Sequence, residues 1–349
     1  MRFMRTYAED KWRKLGIQMV ESSGVSSEDA RTITDILVTG SLRGIDSHGV
    51  RALPRFTQKR RKAEMKVLKE MPATALLDAG GAWGPVSAKK AMEIAIEKAR
   101  KVGTASCSIV NGEWITNLFY FSMMAQENDM IGVALAREGP VCAPWGGTTP
   151  VTGTNPISIA IPAGKGYPIV SDFATTITAV GHVKTLLLEG KPIPEDWLID
   201  RRGNALKPGD LNMANIDDLL EKPGSPYSLM PFGTYKGWGI NVAIDVLGGA
   251  LNLTGTGSRA KGQGVLMTAI NVEAFVPVKE FKAEVDRLIE EIKSSPPRVG
   301  VQEVLLPGER EHKTMLKRRK EGIPIDEKSW KDLVDTCFKL GIDAAKIMS

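Results

Sequence analysis

From Ala73 to Phe275 the chain alternates short apolar runs with amphipathic helical stretches, and this alternation limits its fold more than any other feature. Each such element has one apolar side to bury, and strands that alternate with helices bury theirs by laying the helices on a sheet. "ATALLDAG" (Ala73–Gly80) reads as a strand ending at a Gly-rich turn, and "PVSAKKAMEIAIEKARKVG" (Pro85–Gly103) as an amphipathic helix with a glycine stop. "ASCSIV" (Ala105–Val110) and "IGVALA" (Ile131–Ala136) read as short buried strands. In "NPISIAIP" the residues Ile157, Ile159 and Ile161 alternate with the period of a half-buried strand, and "YPIVSDF" and "GVLMTAINVEAF" supply two more. A sheet of six or seven strands is expected.

Both ends of the chain read as helical. "VSSEDARTITDILVTGSLRG" opens on a Ser26-x-x-Asp29 capping box and puts Ile33, Ile36, Leu37 and Gly40 on one face. A second helix is expected from about Gly49 to Leu68, and further ones in "KEFKAEVDRLIEEIK" and "EKSWKDLVDTCFKLGIDAAKIM". The domains therefore read as helical over 1–72, α/β over 73–278 and helical again over 279–349, the two ends packing together. The polar, Gly- and Pro-rich stretch from Arg202 to Ser228 reads as an excursion within the middle domain.

With 349 residues, 42% of them hydrophobic and 25% charged, the chain has the means to build a sizeable core. Its surplus of 46 basic over 41 acidic residues is mild, suited to an anionic small molecule. The basic runs "QKRRKAEMK" and "LKRRKEG" lack interleaved aromatics and read as solvated helix faces, so no nucleic acid is expected. Cys107, Cys142 and Cys337 have no CxxC or CxxH spacing, which points to no metal site and to a reducing, cytoplasmic setting. The N-terminus is too charged for a signal peptide, and no apolar run approaches the ~18 residues of a membrane span.

No G-x-G-x-x-G follows a strand and opens a helix, so any dinucleotide must bind otherwise than in a Rossmann domain. Several segments still look like site material. "PWGGTTPVTGTNP" is a loop whose backbone a ligand could approach closely. Asp172 follows a strand and precedes Thr175 and Thr176, a place that suits either a ligand or a helix cap. Lys236 begins an apolar helix, where its charge opposes the helix dipole and favours an anionic partner. "PGERE" at Pro307 reads as a turn. His48 is one of three histidines and lies in "DSHG", where it serves either as an acid/base or as a helix cap.

The ordered set "LRGIDSHG", "PWGG", "GTNPISIAIP", "SDFATT", "LMPFGTYKGWG" and "PGERE" resembles the malate/L-lactate dehydrogenase family of the non-Rossmann type. That family also holds sulfolactate and ureidoglycolate dehydrogenases and cyclic-imine reductases. The resemblance implies an α/β fold with a mixed-sheet, non-Rossmann NAD(P)-binding domain, a helical domain built from both chain ends, and a homodimer. It implies NAD or NADP as cofactor, lined by Asp172, Phe173, Ala174, Lys236, Pro307, Gly308 and Glu309, and a small 2-oxo or 2-hydroxy acid as substrate. His48 and Ser47 match the substrate-site SHG motif, with His48 moving the proton and Asp46 a weaker candidate for orienting its ring.

The chain also departs from the pattern. Trp114, in "NGEWITN", stands where many members place a proton-accepting His, and a Trp cannot accept a proton. Ala52 stands where many members carry an Arg for the substrate carboxylate, which leaves Arg51 and Arg55 to hold it, with Trp114 in the pocket. Gly139 stands where ureidoglycolate dehydrogenases have an acid, disfavouring that substrate. Imine reduction and a nucleotide-binding pseudoenzyme are the alternatives that Trp114 and Ala52 raise.

Overall fold

The computed structural model describes residues 4–60, 62–207, 209–212, 216 and 225–349. Part of the Gly- and Pro-rich excursion, at 208, 213–215 and 217–224, lies outside the described residues, as does position 61 in the first basic run.

The chain begins with β1 (Met4–Tyr7), α1 (Glu9–Glu21) and α2 (Ser27–Leu42). Ser26 caps α2 by accepting a hydrogen bond from the Asp29 amide at 3.1 Å, as the capping-box pattern requires. Two short 3-10 turns follow, Asp46–His48 and Val50–Thr57. The long helix expected from Gly49 to Leu68 does not form. Pro54 has no N–H for a continuing α-helix, and Lys66–Met71 pairs as strand β2 with β3 (Thr74–Asp78). The sheet thus begins before residue 73.

Next come α3 (Gly84–Val102), β4 (Thr104–Gly112), α4 (Leu118–Gln126), β5 (Met130–Arg137), β6 (Ile157–Ile161) and β7 (Ile169–Phe173). They are followed by α5 (Val180–Leu188), β8 (Leu198–Asp200), β9 (Tyr227–Leu229), α6 (Tyr235–Gly248) and β10 (Gln263–Asn271). The central sheet has seven strands in the order β2-β3-β4-β10-β5-β6-β7. Only β3 and β4 run parallel, so the sheet is mixed, the α/β fold that the sequence implied. Its apolar core packs α3 and α4 onto the sheet around Met92, Phe121 and Met267.

The chain closes with α7 (Val278–Ser294), α8 (Glu309–Glu321), β11 (Ile323–Asp326), α9 (Glu327–Lys339) and α10 (Ala344–Met348). A second core gathers both chain ends: Trp12, Ile33 and Phe56 bury against Ile325, Trp330 and Leu333, and β1 pairs with β11. Helix α7 is an exception, since Asp286 accepts hydrogen bonds from the Gly164 and Lys165 amides and Lys282 pairs with Asp129 at 2.5 Å. It is tied to the sheet rather than to the N-terminal helices. Among the described residues no helix is long and apolar enough to cross a membrane.

Candidate active site

A cleft of about 1360 Å³ opens where the two cores meet. The C-terminal end of α2 and the following turns bring Arg43, His48 and Arg55 to it, and the segment after β4 brings Glu113 and Trp114. The end of β7, the first turn of α5 and the turn before α8 complete its walls with Asp172, Gly181 and Gly308.

His48 ends the first 3-10 turn, and its Nδ1 lies 2.8 Å from the Ser47 hydroxyl. The Asn117 side chain donates to the His48 carbonyl at 2.8 Å, fixing the turn against the segment that carries Trp114. The imidazole centroid is 5.3 Å from the Trp114 ring. Half-buried and walled by protein, the ring is desolvated, which pushes its pKa down to about 4. Asp46 does not orient that ring. It forms a two-pronged ion pair with Arg318 of α8, at 2.6 and 3.0 Å, which anchors the turn from behind.

Asp172 faces the open cleft, and its carboxylate accepts a hydrogen bond from the Phe119 amide at 2.8 Å. The surrounding walls desolvate the carboxyl and push its pKa up to about 6, against the opposing pull of the Phe119 amide and Arg43. Arg43 is buried at 3% exposure, with its guanidinium 4.2 Å from the Phe119 ring centroid and a hydrogen bond to the Tyr167 hydroxyl. The Nε atoms of Arg43, Arg60 and Arg137, all cleft-lining residues, are buried without a partner.

The model of the malate/L-lactate dehydrogenase family matches residues 7–334 of this architecture. The chain belongs to that family. It is 36% identical over 346 residues to the L-sulfolactate dehydrogenase of Methanocaldococcus jannaschii, covering 95% of this chain and 96% of that protein. It is 33% identical over 345 residues to the malate dehydrogenase of Pyrococcus abyssi, covering 95% and 94%. The solved sulfolactate dehydrogenase structure from M. jannaschii superposes with a TM-score of 0.86 at 33% identity, over 98% of this chain and 99% of that one. A malate dehydrogenase of Entamoeba histolytica, at 24% identity, shares the fold with a TM-score of 0.91 over 98% and 99%. As a member of a dehydrogenase family, the protein is an oxidoreductase.

The residues singled out in the sequence are not all placed alike in this dehydrogenase. His48, Arg55 and Trp114 meet on one side of the cleft, and Asp172, Phe173 and Ala174 lie together on its floor at the end of β7, with Pro307 and Gly308 beside them. The Pro307 carbonyl accepts from the Val170 amide at 3.1 Å. Gly308 turns the chain with φ +83°, and an added Cβ would come within 2.9 Å of the Val170 carbonyl oxygen. Ser47 borders the cleft only through its contact with His48.

Three further residues, like Ser47, lie outside the lining. Arg51 turns away to an ion pair with Asp326 of β11 at 3.1 Å, since successive side chains of a 3-10 turn diverge by about a third of a turn. Glu309 pairs with Lys293 at 2.5 Å and Lys313 at 3.1 Å. Desolvation works to raise its pKa, but these lysines and the Leu306 amide outweigh it and hold the carboxyl at about 2. Lys236 stands in the exposed first turn of α6. Sequence reasoning missed Arg43, Arg137 and Lys184, which line the cleft. Arg43 lay within the quoted "LRGIDSHG", but nothing local marks a helix-end arginine as buried.

Proposed function

We propose that this protein interconverts a small 2-hydroxy acid and its 2-oxo acid, with NAD or NADP as hydride carrier and His48 as the group that moves the proton. The observation that carries the reading is the Ser47–His48 contact at the cleft wall. Ser47 can accept a hydrogen bond from Nδ1–H, which leaves Nε2, without a hydrogen bond among the described residues, to take the substrate's hydroxyl proton. The same serine lone pair serves the protonated ring, so the contact survives the transfer. A neutral imidazole at pH 7 follows from its desolvation, and a bound carboxylate nearby would favour the charged form as the proton arrives.

The donor set of the cleft suits an anionic dinucleotide. Arg43, Arg137, Lys184 and Arg310 line it and give it positive charge suited to phosphate groups, Arg310 while also paired with Glu311. Asp172, Phe173, Ala174, Pro307 and Gly308 would hold the nucleotide from the β7 side, and Lys236 and Glu309 would act from outside that wall. The nicotinamide supplies or takes up the hydride when bound; the protein positions, desolvates and manages the proton.

The protein acts as a homodimer in the cytoplasm in this reading. The outer face of α6 and the turn after it expose Tyr235, Ile240, Val246, Leu247 and Leu251, an apolar strip of the kind that interfaces cover. Cys107, Cys142 and Cys337 are buried and unpaired, in keeping with a reducing compartment.

The test is an assay of lactate, malate and sulfolactate, and of their 2-oxo acids, with each cofactor, read by nicotinamide absorbance. Turnover of any of them supports the proposal. No turnover, together with no calorimetric binding of NADH or NADPH, would overturn it.

A further inference from the structure

We infer that Arg55, seated over the indole of Trp114, is the anchor for the acidic group of the substrate, and that Trp114 is its positioning residue. The inference rests on the reading of the cleft as a 2-hydroxy acid site. It assigns to an aromatic floor and a displaced arginine the task that the sequence leaves open at Ala52 and Trp114.

The geometry of the 3-10 turn comes first. In Val50–Thr57 side chains three apart eclipse one another, so Ala52 and Arg55 share a face while Arg51 points elsewhere and is taken by Asp326. Arg55 therefore presents its guanidinium on the face that position 52 would have used. Its central carbon lies 4.6 Å from the centroid of the Trp114 ring. A guanidinium held over a ring by cation–π attraction still has N–H groups to donate, and its planar fork matches the two oxygens of a carboxylate.

A neighbouring pair shows what a satisfied arginine looks like here. Arg60 lies 3.4 Å from the Trp83 ring centroid and also makes a two-pronged ion pair with Glu113 at 2.7 and 2.8 Å. Arg55 has the aromatic face without the acid: among the described residues no carboxylate pairs with it, though it is exposed at the cleft. The missing partner is the place for a ligand's acidic group.

Trp114 is a rigid support. Its ring stacks on buried Phe56 at 6.2 Å and 19° and touches the His48 ring on another side. Its carbonyl oxygen would lie 2.2 Å from a Cβ at Gly84, so the start of α3 presses on this backbone, and the Ile115 amide is held by Gln263 at 2.9 Å. One indole thus faces both the acid/base and the anchor, and fixes how far the bound acidic group sits from the proton-transfer nitrogen.

The test measures oxalate binding by calorimetry, which needs no turnover, alongside KM and kcat. Arg55→Ala is expected to weaken oxalate binding and raise the KM of the hydroxy acid about ten- to hundredfold, the loss of a charge-assisted hydrogen bond, with kcat within about threefold. Trp114→Ala should weaken oxalate binding to a similar extent and, with the indole gone from beside His48, lower kcat as well; Trp114→Phe should largely restore binding, and the double variant should bind oxalate little more weakly than either single one. Melting temperatures and NADH affinity near the wild-type values show that the fold and cofactor site persist. Oxalate failing to bind the wild type, or binding Arg55→Ala equally well, overturns the inference. A wild type that binds oxalate through Arg55 but turns over no hydroxy acid would instead refute the proposed reaction.

Discussion

The Asp172 carboxylate at the end of β7 accepts a hydrogen bond from the Phe119 amide in the first turn of α4. The residue at the N-cap of α4, Asn117, makes no side-chain cap, so the helix is capped by an acid more than fifty residues later. One carboxylate joins two elements and faces the cleft. Truncating it in Asp172→Ala is expected to cost about 0.5–2 kcal/mol, the usual range for a lost cap.

The same acid sets a pH dependence. With its folded pKa raised to about 6 from 3.8, the native state holds the proton more tightly than the unfolded chain. Its contribution to stability is greatest at low pH and is lost as pH rises from about 4 to about 6. Asp172→Asn removes that loss, so its melting temperature relative to wild type should climb between pH 4 and pH 7. Thermal melts across that range decide the matter, and an unchanging difference would contradict the assignment.

His48 acts with the opposite sign. Its pKa falls from 6.5 to about 4 on folding, so the stability it contributes is present above 6.5 and is lost as pH falls towards 4. His48→Asn should flatten that acid-side loss. It should also lower kcat by about 10²–10⁴ while leaving NADH affinity unchanged. A stable, fully active His48→Asn protein would remove the residue from the reaction.

Arg318 supports the turn that carries His48 without lining the cleft. It holds Asp46 by both carboxylate oxygens and donates to the Ser41 carbonyl at 2.5 Å. Arg318→Met leaves a part-buried Asp46 unpaired, and a loss of about 1–3 kcal/mol is expected. Because Asp46 opens the turn that ends in His48, kcat should fall as well, with cofactor binding intact. Stopped-flow or steady-state rates beside a melting curve would show whether the two effects travel together.

The exposed face of α6 gives the assembly prediction. Light scattering of the wild type should give about twice the chain mass of 37.9 kDa, and Ile240→Glu with Val246→Glu should bring it to one chain. An acid in an apolar interface is desolvated without a partner, which disfavours association. A wild type that scatters as a single chain at micromolar concentration would contradict the dimer.

Much of the framework was legible in the sequence because it depends on residues close together along the chain. The alternation of Ile157, Ile159 and Ile161 is a strand period, and it becomes β6. Ser26 and Asp29 are a local cap, and they cap α2. "PVSAKKAMEIAIEKARKVG" carries its own helix stop, and α3 ends beside that glycine. The expected helix after Gly49 failed because Lys66–Met71 gains more by pairing with β3 than a proline-interrupted helix could offer.

The tertiary structure decided what no local pattern encodes. β10, a late segment, lies in mid-sheet between β4 and β5, a placement that depends on apolar faces meeting rather than on spacing. Arg51 and Arg55 look alike in sequence, yet one is consumed by Asp326 and the other lies over the Trp114 ring. The burial of Arg43, the capping of α4 by Asp172 and the anchoring of Asp46 by Arg318 join residues far apart in the chain. Propensity and periodicity act between neighbours and so determine the elements. Which charges end up paired, and which are left facing the cleft, is settled only when distant elements pack and remove their partners from water.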